Sequence, residues 1–384
     1  MLLTTAGCSK YGFPAVPDGY HEYAYISNGG SNTVTVLDLV YVRPDRTLQV
    51  GLNPTGLAVN PHKDEVYVVN TTSGTISVIN TQANRVDATI PVHRLPYFIA
   101  LDPSGHRAYV PNSGSNTVSV LDLDRRREIA TAGTGERPGV ARVSPDDRTL
   151  VVTNRGSGSV SVFAIMHDEG VPPLRLRAAF PGCPGATDAV ILPDSSKAFV
   201  ACSGGHQVMA ISLAAAPGSW HARQDASMLK DHLLAMLDVG ETPVHLAMKP
   251  DGGEIFVSNF GSDSISEIAT WTNEVGGTYN IVSKPVSSVV SQDDSSLWIS
   301  NFGSDSLSMY SIDDGRVETS IHTGSEPDAL AFSADEHLLL VADARSGDVS
   351  VIRMHEKNGP ALFTILPSGK SPNAIVIKAM NEKK

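Results

Sequence analysis

AYVPNSGSNTVSVLDL, residues 108–123, is the stretch of sequence that decides the fold. Two alternating, β-branched segments, AYVP and VSVLDL, flank a short polar turn that begins at Asn112. Asn, Ser and Gly are the residues that a tight hairpin turn requires, and alternation is the period of a β-strand. The stretch therefore predicts a β-hairpin.

The same hairpin phrase recurs along the whole chain. Aligned on the first turn residue, the copies begin at Asn28, Asn70, Asn112, Asn154, Cys202, Asn259, Asn301 and Asp343. Successive spacings are 42, 42, 42, 48, 57, 42 and 42 residues. In each complete unit an apolar run that begins at a Pro precedes the hairpin, and another alternating segment follows the hairpin. One repeat therefore holds four strands, A to D. Four-stranded repeats of roughly 40–50 residues indicate β-propeller blades.

The two ends of the chain complement each other. The hairpin at Asn28 has no strand A before it, and the last Pro-led run, SPNAIVIK, has no hairpin after it. Joining them makes one complete unit, which closes the ring and removes two exposed sheet edges. The predicted fold is all-β, one propeller over residues 22–378 with eight blades, or seven if the Cys202 unit is not a full blade. Residues 379–384 form a polar tail.

The phrases VYVVN, AYVPN and LVVTN, each followed by text like GSxTVSVxD, resemble the YVTN β-propeller repeat family over residues 22–378. The resemblance implies a propeller fold and an envelope protein, because the family is common in bacterial and archaeal envelopes. Its members share no single chemistry, so fold does not supply function. Lactonase-type and haem-carrying propellers are similar at the level of the repeat.

Composition and the N-terminus narrow the class of protein. The net charge of −12 argues against nucleic-acid binding, and no apolar run approaches the length of a membrane span. The start MLLTTAGC is similar to the end of a lipoprotein signal that would be lipidated at Cys8; the alternative is a disordered N-terminus that happens to contain Cys. Residues 1–21 are then a signal remnant and a Pro/Gly tether. We expect a monomeric, lipid-anchored protein of the periplasm or cell surface.

The other two cysteines fall in one repeat. Cys183 precedes strand A of that unit, and Cys202 takes the Asn position at the end of strand B. Antiparallel pairing of A and B brings the two sulfur atoms near each other, so the sequence predicts either a disulfide or two small buried thiols. The sequence contains no CxxC, CxxCH or HExxH motif, so neither a metal nor a cofactor is predicted.

Candidate functional residues lie where the D–A and B–C turns meet around the channel mouth. The polar candidates are His93, Arg94, Glu136, Arg137, Asp188, His245, Asp328 and Asn373, with Arg155 and Arg345 in B–C turns. Phe260 and Phe302 share one turn position in adjacent blades, which predicts an apolar patch or two wedges between blades. The Asp and Asn residues of GSDS and GSNT are interpreted as turn residues rather than calcium ligands.

Three functions fit these residues. The first is a non-enzymatic scaffold that binds a protein or small ligand at the channel mouth. The second is a lactonase-type hydrolase, in which His93 or His245 would act as base while Arg94, Arg137 and Glu136 assist. The third is a haem- or quinone-linked electron-transfer propeller, for which no ligand motif is present. The sequence favours the scaffold.

Overall fold

A computed structural model describes residues 16–216, 226–280, 282–357 and 359–381. Within these ranges, eight antiparallel sheets of four strands each form a closed ring, which confirms the all-β propeller with eight blades. The Cys202 unit is a full blade, so the seven-blade alternative is wrong. Cys8 lies outside the described residues.

Blades are numbered in chain order, and the strands of each blade are given in order from the channel outwards. Blade 1 contains β32 (Pro372–Asn381), β1 (Tyr20–Asn28), β2 (Thr33–Asp38) and β3 (Arg43–Gln49). Blade 2 contains β4 (Pro54–Val59), β5 (Glu65–Asn70), β6 (Thr75–Asn80) and β7 (Arg85–Pro91). Blade 3 contains β8 (Ala100–Leu101), β9 (Arg107–Asn112), β10 (Thr117–Asp122) and β11 (Arg127–Gly133). Blade 4 contains β12 (Pro138–Val143), β13 (Thr149–Asn154), β14 (Ser159–Ile165) and β15 (Leu174–Pro181).

The second half of the ring repeats this order. Blade 5 contains β16 (Ala186–Ile191), β17 (Lys197–Cys202), β18 (Gln207–Ser212) and β19 (His232–Asp238), with a 3₁₀ turn at Ala226–Leu229. Blade 6 contains β20 (Pro243–Met248), β21 (Glu254–Asn259), β22 (Ser264–Ala269) and β23 (Glu274–Tyr279). Blade 7 contains β24 (Pro285–Val290), β25 (Ser296–Asn301), β26 (Ser306–Ser311) and β27 (Arg316–His322). Blade 8 contains β28 (Pro327–Phe332), β29 (Leu338–Asp343), β30 (Asp348–Arg353) and β31 (Ala361–Pro367).

The core lies between neighbouring blades. Strands B and C are buried on both faces, as in β9 and β10, because each blade packs against two others. Tyr109 and Val120 of blade 3, for example, share an apolar cluster with Phe163 of blade 4. The outer strand β11 alternates between exposed and half-buried residues, as expected of a strand with one solvent face.

A pair of buried hydrogen bonds from the Asn side chain to two hydroxyl groups of strand C, here called the clasp, explains the recurring Asn and the hydroxyl residues after it. Asn112 Nδ2 donates to Thr117 Oγ1 at 3.2 Å and to Ser119 Oγ at 2.9 Å. Asn28, Asn70, Asn154, Asn259 and Asn301 make the same pair of bonds. The repeat motif is therefore structural, since it fixes the B–C turn of each blade that has it.

Blade 5 replaces this clasp with a covalent bond. Cys183 and Cys202 form a disulfide with their Cα atoms 4.7 Å apart, and both residues are fully buried. Gln207 and Met209 stand where the clasp would need hydroxyl groups. The disulfide joins the end of strand B to the turn before strand A, whereas the clasp of the other blades joins the end of strand B to strand C.

The ring closes through β1 and β32. Their ladder runs from the pair Tyr20–Asn381 to the pair Asn28–Pro372, so the strands extend beyond the predicted limits at residues 22 and 378. Asp263 and Asp305 have left-handed φ values of 52° and 49°, as turn residues do. Their Oδ1 atoms accept backbone N–H groups of the next blade at 2.8 and 2.9 Å, which explains these acidic turns without calcium. No helix among the described residues has the length and apolarity that crossing a membrane needs.

Candidate functional site at the channel mouth

The B–C turn and the preceding D–A turn of each blade lie on one face of the ring, as predicted. In blade 4 the Arg155 N–H donates to the Arg137 carbonyl at 3.1 Å, and the Gly156 N–H donates to the Glu136 carbonyl at 2.9 Å. Equivalent bonds join these turns in blades 1, 2, 3, 6, 7 and 8. We call this face the rim.

In seven blades the inner strand leaves its ladder directly after its first residue, and in blade 3 an isolated bridge between Pro96 and Asn112 takes the place of that first pair. In blade 8, Pro327 pairs with Asp343 and Ala329 with Ala342, so Asp328 lies in a bulge. Bulges re-aim side chains and are frequent beside functional sites. We call the first bulge residue of each blade the mouth ring. Its members are Thr55, Tyr97, Gly139, Thr187, Val244, Val286, Asp328 and Asn373.

Three ionisable side chains from consecutive blades meet on one wall of the channel. Arg142 Nη2 of blade 4 lies 3.0 Å from Asp188 Oδ1 of blade 5. His245 Nδ1 of blade 6 lies 3.0 Å from Asp188 Oδ2. The two predicted residues Asp188 and His245 are therefore brought together, around an arginine that the sequence analysis missed.

Asp188 is the buried centre of this group. Its carboxylate also accepts the N–H groups of Ala189, at 2.8 Å, and Leu246, at 3.1 Å. Burial would raise the pKa of Asp188, but Arg142, then His245 and the Leu246 amide, outweigh it and hold the pKa far below its usual range. Asp188 is therefore ionised and has four donors around its two oxygen atoms. It positions its neighbours and has no capacity left for a ligand.

Arg142 is held in place on two sides. Its Nε donates to the Ala189 carbonyl at 2.7 Å, and its guanidinium lies over the Phe98 ring at 4.9 Å. Its Nη1 group has no partner among the described residues, and 34% of the side chain is exposed. An arginine fixed by a carboxylate and an aromatic face presents its remaining N–H groups without reorganisation. Arg142 is thus a pre-positioned donor at the channel wall.

His245 is bonded at both ring nitrogens. Besides the Asp188 contact at Nδ1, its Nε2 lies 3.0 Å from the Ser288 carbonyl oxygen. Both ring nitrogens therefore have an oxygen partner in this arrangement. Because both ring nitrogens of His245 already have partners, the arrangement lends no support to a general base at this position, and that role stays a prediction.

His93 lies away from the channel. Its Nε2 contacts Thr131 Oγ1 at 3.1 Å and Glu128 Oε1 at 3.3 Å, and both residues belong to the outer strand β11. The partners of His93 thus belong to the outermost strand of blade 3, and a role for His93 at the channel mouth stays a prediction. Arg94, Glu136 and Arg137 are exposed in the rim turns.

Arg155 extends over the mouth ring. Its guanidinium lies 6.0 Å from the centre of the exposed Tyr97 ring. A Cβ atom at Gly139 would lie 3.2 Å from Arg155 Cδ, so the glycine leaves room for this side chain. Arg155 and Arg142 therefore place two cations and two aromatic rings, Tyr97 and Phe98, on the wall of blades 3 and 4.

The opposite side of the mouth carries Asp328 and Asn373. Asn373 donates to the Pro54 carbonyl at 3.0 Å and accepts a bond from Ser27 Oγ at 2.6 Å. Burial raises the pKa of Asp328 to about 6, with no contribution from a neighbouring charge. Arg345 lies on the rim above, 3.6 Å from Glu326.

Phe260 and Phe302 meet across the boundary of blades 6 and 7. Their ring centres are 6.3 Å apart, and Lys284 lies 5.8 Å from the centre of the Phe260 ring. Both rings are half-buried, so the pair is a contact between blades with one exposed side. A rim depression of about 770 Å³ begins beside Phe302 and is lined by Glu326, Arg345 and Lys370 among others.

Arg142 lies within strand β12, outside the turns in which the sequence predicts functional residues. Its position, four residues after Pro138, carries only small or aliphatic residues in the other blades: Ala58, Ala100, Val190, Ala247, Val289, Ala331 and Val376. Comparing the repeats column by column would have singled out this arginine. No group of three or more metal-ligating side chains is present in the described part of the chain.

Comparison with known proteins adds family and fold. Dihydro-haem d1 dehydrogenase NirN, solved in complex with DHE, is 14% identical, with a TM-score of 0.74 over 97% of this chain and 77% of that one. The periplasmic gluconolactonase PpgL of Pseudomonas aeruginosa is 19% identical, with a TM-score of 0.62 over 93% of this chain and 98% of that one. Apo AztD of Citrobacter koseri is 14% identical, with a TM-score of 0.66 over 96% of this chain and all of that one. These likenesses show the fold alone.

A search of curated proteins finds no match to this sequence. A family model described as "Lactonase, 7-bladed beta-propeller" matches residues 42–275 and 284–376, which is most of the chain. The described ring has eight blades where the family description has seven. By this match the chain belongs to the lactonase β-propeller family.

Proposed function

We propose that this protein hydrolyses a lactone bound at the channel mouth, with the lactone carbonyl held by Arg142. The observation that carries the proposal is the fixed guanidinium, bonded to the buried Asp188 and lying on Phe98 with N–H groups unused. In lactone hydrolysis water attacks the carbonyl carbon and loses its proton to bulk water, and the ring C–O bond then breaks so that the ring oxygen leaves as the hydroxyl of the hydroxy acid. Negative charge develops on the carbonyl oxygen as the attack proceeds. A donor already in place for that oxygen lowers the barrier.

Each residue of this wall has a distinct role in the proposal. Arg142 is the electrophile that stabilises the oxyanion. Asp188 and Phe98 are positioning residues, because they fix Arg142 without a free polar atom of their own for substrate. Arg155 and Tyr97 flank the entrance, where a cation favours substrates that carry negative charge. His93 and His245 have no part in proton transfer.

The periplasmic gluconolactonase among the structural neighbours makes glucono-δ-lactone the first substrate to test. The purified protein is expected to hydrolyse it in a pH-indicator assay, and Arg142→Gln is expected to lower kcat by about 100-fold or more, as loss of an oxyanion donor does elsewhere. Arg345→Gln, an arginine of the outer rim, is the matched control and should change kcat less than twofold. Equal loss in both variants would contradict the role of Arg142.

A second candidate is binding of an anionic ligand without turnover. It is favoured by the contacts of this wall, because both oxygen atoms of Asp188 and both ring nitrogens of His245 already have protein partners. A wild-type protein that binds gluconate through Arg142 but hydrolyses no lactone would support this candidate. The haem-linked alternative has the NirN likeness in its favour, but that likeness concerns the fold.

The YVTN resemblance, lipidation at Cys8, an envelope location and a monomeric state remain part of the proposal. The disulfide of blade 5 is consistent with an oxidising compartment. Mass spectrometry of the protein purified from membranes tests lipidation, since a lipidated Cys8 would be the mature N-terminus.

A further inference from the structure

Three polar members of the mouth ring link their blade to the next one. Asn373 Nδ2 donates to the Pro54 carbonyl at 3.0 Å. Thr55 Oγ1 donates to the Tyr97 carbonyl at 3.1 Å, and Thr187 Oγ1 donates to the Pro243 carbonyl at 3.2 Å. Each bond therefore joins a side-chain donor to a backbone acceptor near the start of the neighbouring inner strand.

Asp328 occupies the same ring position but cannot make this bond when ionised. A carboxylate only accepts hydrogen bonds, and the backbone atoms that its ring neighbours contact are also acceptors. Among the described residues Asp328 has no hydrogen-bond or ion-pair partner, although it is only partly exposed. The oxygen atoms of Asp328 are therefore available to accept hydrogen bonds from a ligand.

The side chains on either side of Asp328 in the ring leave this carboxylate unsatisfied. Val286 of blade 7 is apolar, and the amide of Asn373 in blade 1 already has partners at both ends. The charged groups nearest along the rim are Glu326, which is paired with Arg345, and Lys370. None of these charges contributes to the raised pKa of Asp328.

Asp328 and Arg142 belong to opposite blades of the ring. They belong to blades 8 and 4, which are four places apart in a ring of eight and so form opposite walls. One wall offers N–H donors from a fixed cation, and the other offers an unpartnered acceptor. A ligand that reaches both walls needs an acceptor at one end and a donor at the other.

We infer that Asp328 is a specificity-determining residue that binds a hydrogen-bond donor, a hydroxyl or an ammonium group, at the end of the ligand remote from Arg142. The inference rests on the proposed function, because it uses the same site. It extends that function by distinguishing ligands that carry a remote donor from plain alkyl lactones or acids of the same length.

Three six-carbon acids test the inference by calorimetry: hexanoate has no donor, gluconate has hydroxyl groups and 6-aminohexanoate has an ammonium group. At pH 8 the wild type is expected to bind gluconate or 6-aminohexanoate at least about tenfold more tightly than hexanoate, the effect of one hydrogen bond to a charged group. Asp328→Ala should remove this preference, whereas Arg142→Gln should weaken all three. Whether gluconate or 6-aminohexanoate is preferred decides between hydroxyl and ammonium.

The pH dependence separates this role from a structural one. Both oxygen atoms of Asp328 accept hydrogen bonds only when the carboxyl group is ionised. The wild-type preference for acids that carry a donor should therefore fall at least about fivefold between pH 8 and pH 5, which lie on either side of the raised pKa. Asp328→Asn keeps the size of the side chain and should bind with no such pH dependence. Arg345→Gln is the control for general changes of rim charge.

The results separate the two proposals. A donor preference that survives in Asp328→Ala, or a wild type that binds none of the three acids, overturns the inference. Lactone turnover that Asp328→Ala leaves unchanged for hydroxylated and plain lactones alike also overturns it, while the hydrolase proposal stands. Donor-selective binding that depends on Asp328, without lactone turnover, supports the inference and contradicts hydrolysis.

Discussion

Asp188 and Asp328 occupy neighbouring positions in the same bulge of the repeat, on two sides of one channel mouth, and they have opposite properties. Asp188 accepts four hydrogen bonds, and its pKa is held far below the usual range. Asp328 has no partner among the described residues, and burial raises its pKa to about 6. The repeat determines where a carboxylate lies, and the neighbouring blades determine whether it is structural or available to a ligand.

The largest effect on stability is expected from removing Asp188, whose carboxylate already has protein partners at both oxygen atoms. Asp188→Ala leaves Arg142 and His245 without their shared counter-ion and should lower the free energy of unfolding by about 3–5 kcal/mol. Urea unfolding followed by circular dichroism measures it. Asp328→Ala removes a carboxylate of equal size on the other wall and should lower the free energy of unfolding by less than about 1 kcal/mol. Similar losses in the two variants would contradict the difference between the walls.

The next effect concerns the disulfide that lies in the same blade as Asp188. It closes a loop with a sequence separation of 19 residues, so removing it should destabilise the protein by about 3 kcal/mol. The double variant Cys183→Ser, Cys202→Ser is compared with wild type by urea unfolding. A reductant should lower the midpoint of the wild type and leave that of the double variant unchanged; a midpoint insensitive to reductant in both would contradict the prediction.

A smaller effect is expected from the acidic clasp of blade 8. Asp343 is fully buried in the position that six other blades give to Asn, and its Oδ2 accepts the Ser350 hydroxyl at 2.7 Å. Burial raises the pKa of Asp343, and the nearby Asp348 adds to this shift. The folded state therefore holds a proton that the unfolded state loses first, near the usual carboxyl pKa of about 4.

This difference predicts a stability that falls as pH rises from that value towards neutrality. Asp343→Asn restores the residue of the other clasps and should raise the free energy of unfolding at pH 8 by about 1–3 kcal/mol, with less effect at pH 5. The midpoint of urea unfolding at the two pH values measures this. Asp348→Ser, which restores the hydroxyl at its clasp position, is the companion variant. An equal gain at both pH values would show that the proton is not responsible.

Much of the fold follows from the spacing of the repeats. The 42-residue period predicts blades, the split unit at the two ends predicts closure by β32, and the shared position of Phe260 and Phe302 predicts that their blades meet. These features depend on backbone pattern, which recurs along the chain. The side-chain partners of the channel mouth do not recur, and they come from different blades.

The candidate site is therefore only partly predictable from the sequence. Arg142 and Asp188 are 46 residues apart in the sequence. Asp188 lies within the bulge of its strand, and Arg142 follows the bulge of its own strand and pairs with Val151, so strict alternation from the start of either strand does not give the direction of these side chains. His93 and His245 have the residue type that a base requires, but their partners, Glu128 and Ser288, become visible only when neighbouring strands are in place. Position in the repeat locates a residue, whereas its hydrogen-bond partners define what it can do.

The most direct test of the account is a double-mutant cycle for gluconate binding with Arg142→Gln and Asp328→Ala, measured by calorimetry at pH 8. If one ligand is held at two separate ends, each single variant should weaken binding about tenfold or more, and the double variant should lose the product of the two factors, because distant independent contacts add in free energy. Gluconate binding that is unchanged by Arg142→Gln would contradict the central claim that this fixed arginine makes the channel mouth a ligand site.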